Sequence, residues 1–138
     1  MKKIFILLPL LLISCKDLQR KDILGTWKSD DGFCILKINN DSTFEIKNVP
    51  KSILFSENKM KGIFSGSGKW DLTCSQNNWS VDLIFPIDTM FPNINDTKYS
   101  CSYQLSIERD VFNSSNWIVY FYNGAEDEKY YFYRVSNK

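Results

Sequence analysis

"YSCSYQLSI", Tyr99 to Ile107, decides the fold class. Tyr99, Cys101, Tyr103, Leu105 and Ile107 alternate with Ser100, Ser102, Gln104 and Ser106, so every second side chain is apolar and those between are polar. In an extended chain successive side chains point to opposite faces, which makes this a strand with one buried and one wet face. The same period continues outward. Upstream, Trp79, Val81, Leu83 and Phe85 oppose Ser80 and Asp82 until Pro86 ends the run. Downstream, Asn116 to Tyr122 and Lys129 to Val135 read as a hairpin joined by the acidic loop Asn123 to Glu128.

Toward the N-terminus the pattern repeats in shorter pieces. Ile23 to Ser29 carries Gly25 and Trp27 and is followed by a tight turn at Asp30-Asp31-Gly32. Phe33 to Ile38 places Cys34, Leu36 and Ile38 on one face, and Asn39 to Ser42 is a loop of residues that tolerate positive φ. Phe44 and Ile46 alternate with Thr43, Glu45 and Lys47. In Ile63 to Leu72, Gly66 and Gly68 share a face with Trp70 and Leu72, and glycine within a strand marks a bend or a close approach.

Two stretches break the alternation. Val49 to Gly62 reads as one short helix or lid, with Pro50 in its first turn and Ile53, Leu54 and Phe55 capping one end of the domain. Ile87 to Lys98 reads as a long loop whose Met90, Phe91 and Pro92 form the most exposed apolar stretch. Eight strand-like runs with mostly hairpin-length links make an antiparallel meander. Closing such a sheet removes its two exposed edges. The expectation is an all-β domain, a small eight-stranded antiparallel barrel over residues 23–138.

Leu24-Gly25-Thr26-Trp27 resembles the Gly-x-Trp signature of lipocalins and related calycin barrels. That resemblance implies a lipocalin-like barrel closed at one end by Trp27, with Gly25 beside it and Arg134 from the last strand packed over the indole. The order of "GTW…DDG", the segment Leu36 to Phe44, the segment Gly66 to Leu72 and "YFYNGAEDEKYYFYRV" is also similar to a group of uncharacterised bacterial lipoproteins. The domain is shorter than a typical lipocalin and lacks the middle signature of that family, so no ligand residue carries across.

The N-terminus supplies an address. Lys2 and Lys3, the apolar run Ile4 to Ile13 and the small Ser14 have the order of a secretory signal peptide. The run is far shorter than the ~20 residues of a membrane-spanning helix. Leu12-Ile13-Ser14-Cys15 resembles the lipobox of bacterial lipoproteins. The resemblance implies a signal peptide over residues 1–14, lipidation of Cys15, and a membrane partner engaged through N-terminal acyl chains. Residues 15–22 then form a polar lipidated tether. The expected location is the cell envelope, at the outer membrane on its periplasmic or surface face, although Asp17 resembles an inner-membrane retention signal of some bacteria.

Removal of residues 1–14 leaves 124 of 138 residues, enough for one domain, carrying 15 basic and 16 acidic side chains. That balance lacks the basic excess of a nucleic-acid binder. Histidine is absent from the sequence, so no Ser-His-Asp or Cys-His nucleophile and no histidine metal site can be assembled. The expectation is a protein that is not an enzyme and holds no cofactor or metal. Glu126-Asp127-Glu128 lacks the alternating ligands of an EF-hand loop and reads as a solvated hairpin tip. Cys34 and Cys101 lie in apolar patterns and Cys74 in a turn; whether two of the three pair stays open.

Two functional readings remain. In the first, the barrel binds a small apolar molecule or lipid, with Trp70, Trp79, Tyr103 and Phe121 among the rings lining its interior; such a barrel is either filled by side chains or hollow enough for one ligand. In the second it is an envelope structural or interaction module. Tyr120, Tyr122, Tyr130, Tyr131 and Tyr133 alternate across both faces of the last hairpin, so some rings face outward, where tyrosine suits an interface. The loop Ile87 to Lys98 would share that role.

Overall fold

The computed structural model describes residues 18–54, 61–91, 93, 98–113, 116–123 and 128–136. Residues 1–17, which include the expected signal peptide, Cys15 and the first residues of the expected tether, lie outside the described residues, as do Phe55, Pro92 and the acidic stretch 124–127. The alternating runs become strands β1 (Gly25–Ser29), β2 (Ile35–Ile38), β3 (Thr43–Pro50), β4 (Ile63–Ser75), β5 (Asn78–Pro86), β6 (Ser100–Arg109), β7 (Trp117–Asn123) and β8 (Glu128–Arg134). Each pairs antiparallel with the next, and β8 pairs with β1, so the sheet closes into an eight-stranded barrel. Short helices α1 (Arg20–Ile23), α2 (Lys51–Leu54) and α3 (Ile87–Met90) attach to it.

The up-and-down order gives the barrel two distinct ends. The near end holds α1, the β2–β3 loop, the β4–β5 turn and the β6–β7 loop. The far end holds the β1–β2 turn, α2 and α3. At the near end Gln76 and Asn77 both take positive φ, 50° and 65°, the two-residue turn whose twist matches that of its strands.

β4 is the strand that makes closure possible. It pairs with β3 from Ile63 to Lys69 and with β5 from Lys69 to Ser75, changing partners at Lys69. A Cβ on Gly68 would overlap the Ile84 carbonyl oxygen, so the bend exists because that position has no side chain. Gly66 lies beneath the Phe64 ring and the Thr89 methyl of α3. Both glycines mark the curl expected from their place in the sequence.

Inside, alternate residues of every strand meet. Trp27, Leu36, Phe44, Ile46, Leu83, Phe85, Leu105, Val119 and Phe132 are fully buried. Their rings touch edge to face: Phe44 and Phe85 at 4.9 Å, Phe85 and Tyr103 at 5.9 Å, Phe121 and Phe132 at 5.8 Å between centroids. Each such side chain contributes about 1.5–3 kcal/mol by leaving water.

Three expectations change. The tether does not hold the domain away over its whole length: Leu18 is buried and Ile23 fully so, because α1 turns both into the near end. The packed residues therefore reach back at least to Leu18. The segment after Lys47 does not begin a helix at Pro50. β3 bulges at Asn48 (φ 61°), whose amide donates to Ser65 Oγ at 3.0 Å, and runs on to pair Pro50 with Ile63. The helix is the single turn α2, whose Ile53 and Leu54 are buried as a cap on the far end. Finally, Met90 is buried, since the turn closed by Phe91 N–H on the Ile87 carbonyl (2.8 Å) rolls it inward; Phe91 stays partly exposed.

Candidate functional site

The near end is built as a plug. Trp27 stands opposite Arg134 across the β1–β8 seam, and its Nε1 donates to the Ile23 carbonyl at 2.8 Å. The Arg134 guanidinium lies 5.9 Å from the indole centroid and donates to the Leu24 carbonyl. Gly25 sits at φ 123°, a backbone conformation that side chains rarely adopt, while a Cβ there would make only ordinary contact with Arg134 Nε at 3.5 Å. The three residues named from the lipocalin resemblance thus stand together at one seam.

A second, tighter cation–indole pair lies beside them. Arg20 Cζ is 4.0 Å from the Trp70 ring centroid, and Arg20 also donates to Ser42 Oγ at 2.6 Å. Trp70 Nε1 donates to the Asn39 carbonyl at 2.8 Å. Such pairs contribute about 0.5–2 kcal/mol. The sequence reading missed Arg20 because it stands in a run of polar residues with no period.

The four rings expected to line a ligand site divide between places. Trp70, level with Leu83 and Tyr103 across β4, β5 and β6, is buried under Arg20. Tyr103 leans on Phe85 and Phe121 on Phe132, so both belong to the packed interior. Trp79 sits half-buried at the root of the β4–β5 hairpin opposite Cys74. Trp117 lies beneath the Arg109 guanidinium at 4.1 Å.

At the far end a small polar group is set into the wall. Ser29 Oγ donates to Asp31 and accepts the Cys34 amide at 2.9 Å, while the Phe33 amide donates to Asp31 at 2.9 Å. These hydrogen bonds hold the Asp31 carboxyl below its ordinary range. Burial, with the Asp31 charge, pushes the Cys34 thiol up to about 12, so at neutral pH it is a thiol and a poor nucleophile. The Tyr130 hydroxyl beside them is shielded from solvent, with Ser29 as its polar neighbour and no well-formed hydrogen bond among the described residues. Burial raises its pKa, and the neighbouring Ser29 draws it the other way.

On the outer face β7 and β8 carry a run of rings, of which Tyr122 and Tyr133 are exposed, Tyr131 is half-buried and Tyr120 is buried beneath them. Tyr120 pairs with Tyr131, and Tyr122 and Tyr133 flank them, with ring centroids 5.3–6.3 Å apart along the series. Lys129 Nζ lies 4.5 Å from the Tyr120 ring and 3.2 Å from Glu108 Oε2; that hydrogen bond raises its pKa. Tyr130, the fifth ring, turns inward. Beside the patch runs a trough of about 430 Å³, floored by Ser80, Gln104 and Ser106 and walled by Tyr120 and Tyr122. A larger groove of about 860 Å³ lies where β4 changes partners, edged by Glu45, Lys69, Lys98 and Tyr99. The end of the 87–98 segment therefore borders that groove and not the tyrosine patch.

Among the described residues no group of three His, Cys, Asp or Glu side chains is placed to hold a metal ion. Cys34, Cys74 and Cys101 are free thiols. No described helix is long and apolar enough to cross a membrane. No family model, no curated protein and no solved structure matches this chain, so the closed eight-stranded barrel and the placement of its side chains carry the functional argument.

Proposed function

We propose that this protein is a lipid-anchored, non-catalytic module of the cell envelope that recognises a protein partner with the outer face of β6–β8. The observation that carries the reading is the contiguous patch of Tyr122, Tyr131 and Tyr133, packed on the buried Tyr120 and bordered by Lys129. Tyrosine brings apolar area with a polar tip and little rotamer entropy, which suits a surface that is wet when free and dry when bound. Among the described residues edge-to-face rings and fully buried aliphatic side chains pack the interior, which favours the outer face as the place of recognition. The lipobox-like Leu12 to Cys15 supports the anchor, and the absence of histidine supports a role without catalysis.

The test is photo-crosslinking in the native envelope from a probe at Tyr133, which is well exposed. A defined adduct that is lost in Tyr122→Ala/Tyr131→Ala, with the fold intact by circular dichroism, is the expected result. Adducts that survive the double substitution would refute the reading.

A second reading, a small apolar ligand inside the barrel, is favoured by the shielded Tyr130 hydroxyl, which such a ligand's polar end would satisfy. Native mass spectrometry of protein purified from the envelope would show a bound mass that Tyr130→Phe loses. A bare chain mass would remove this version.

A further inference from the structure

Val111 and Phe112 are the most exposed large apolar residues of the described structure, at 89% and 100%. They are not a frayed end. The loop that carries them is pinned by the Phe112 amide on Asp110 Oδ1 (2.9 Å), the Asp110 amide on the Asn116 carbonyl (3.0 Å) and the Asn116 amide on the Asn113 carbonyl (2.8 Å). The backbone bonds itself, and the two apolar side chains are left pointing into water.

Their place in the barrel supplies the occupant. Trp27 is opposite Arg134, Tyr133 is opposite Ile118, and Arg109 is opposite Trp117. One level therefore runs from β1 through β8 and β7 to β6. Adjacent strands are ~4.8 Å apart, so three steps across the sheet span about 14 Å. From that level the chain continues past the near end both at Leu24, toward α1 and Leu18, and at Asp110, toward Phe112. The β6–β7 loop and the incoming N-terminal segment leave the same end of the barrel.

The segment is also short. Leu18 is buried in the near end, and Cys15 precedes it by three residues, a reach of at most about 11 Å even when fully extended. An acylated Cys15 would hold the near end within that distance of the bilayer surface, which brings the exposed Val-Phe pair of that end within reach of lipid.

We infer that Val111 and Phe112 are a second membrane contact, entering the headgroup region of the bilayer that holds Cys15 and standing the barrel near end down. The inference rests on the lipid-anchor reading of Cys15. Apolar side chains favour that zone, and an aromatic residue fits its boundary. In this stance the far end, with α2 and α3, points away from the membrane, and the tyrosine face of β6–β8 stands beside it, open to a partner in the same plane.

The test uses the full chain, matured and acylated in cells, purified and reconstituted into phosphatidylethanolamine/phosphatidylglycerol vesicles. With Cys74→Ser removing the exposed thiol, an environment-sensitive fluorophore is placed at Phe112→Cys or, as the far-end control, at Phe33→Cys. Phe33 is exposed in the β1–β2 turn, so neither label disturbs the core. The expected result is a blue shift and strong quenching by nitroxide lipids for the label at position 112, with neither for position 33. Acylated, vesicle-bound protein whose 112 label stays in water would overturn this inference alone. A mature chain without acyl mass on Cys15 would overturn the anchor reading and this inference with it. Blue shift before vesicles are added, with a doubled mass, would assign the pair to contact between two copies and equally overturn it.

Discussion

Trp27 and Arg134 face each other across the seam where the first strand meets the last, and the arginine reaches beyond the indole to the carbonyl of Leu24. One residue pair thereby joins the two ends of the chain and ties the entry of β1 to the exit of β8. The indole is the larger part of this arrangement, since it is fully buried and donates to Ile23, whereas Arg134 is exposed. Trp27→Ala should cost about 3–5 kcal/mol by leaving a cavity in the plug. Arg134→Leu should cost about 1 kcal/mol, the net value of an exposed charge-assisted hydrogen bond. Urea denaturation followed by tryptophan fluorescence reads both, and equal losses would contradict this division of labour.

Gly68 and Gly32 separate steric need from backbone conformation. An alanine at position 68 collides with the Ile84 backbone, which cannot rotate away, so Gly68→Ala should cost about 3 kcal/mol or more. At Gly32, with φ 71° and open space around it, alanine should cost only about 1 kcal/mol, the left-handed backbone penalty. Thermal melts of the two variants should rank them in that order.

Asp31 should contribute to the acid limb of stability. Its folded pKa lies below the ordinary 3.8 because Ser29 and the Phe33 amide donate to the carboxylate. A depressed carboxyl stabilises the fold above its unfolded pKa, and the contribution disappears as pH falls through the folded value. Asp31→Asn should therefore be less stable than the native chain at pH 6, and the gap should close as pH falls through the lowered folded-state pKa. A constant difference between the two at every pH would show that the effect is not ionic.

The thiols should react in a fixed order. Cys74 is exposed on β4, whereas Cys34 is fully buried with its pKa pushed up to about 12. At pH 8 a disulfide reagent should modify Cys74 faster than Cys34 by on the order of a hundredfold or more, and denaturant should abolish the gap. Rapid labelling of Cys34 in the folded chain would place it on a more open wall than the structure gives.

The alternation in Tyr99 to Ile107 and its weaker copies was enough to count eight strands, because a side-chain period of two is local and survives without knowledge of the partner strand. Gly66 and Gly68 announced their bend for the same reason. What lacks a period was misread. Leu18 and Arg20 look like part of a polar leader, since one apolar residue among charges shows no face until a barrel end is there to receive it. Met90 looked exposed because one turn of helix is too short to print a pattern. Val111 and Phe112 drew no notice, although an apolar pair between Asp110 and Asn113 is a signal that could have been found.

By itself the order of residues determined the strand count and the antiparallel meander, both of which depend on neighbours in the chain. Only the tertiary structure decided which tyrosines turn outward together, which rings fill the interior, and that the β6–β7 loop shares an end with the N-terminal segment. Those facts depend on strand register and closure, and closure joins residues more than a hundred positions apart, a separation at which no local pattern carries information.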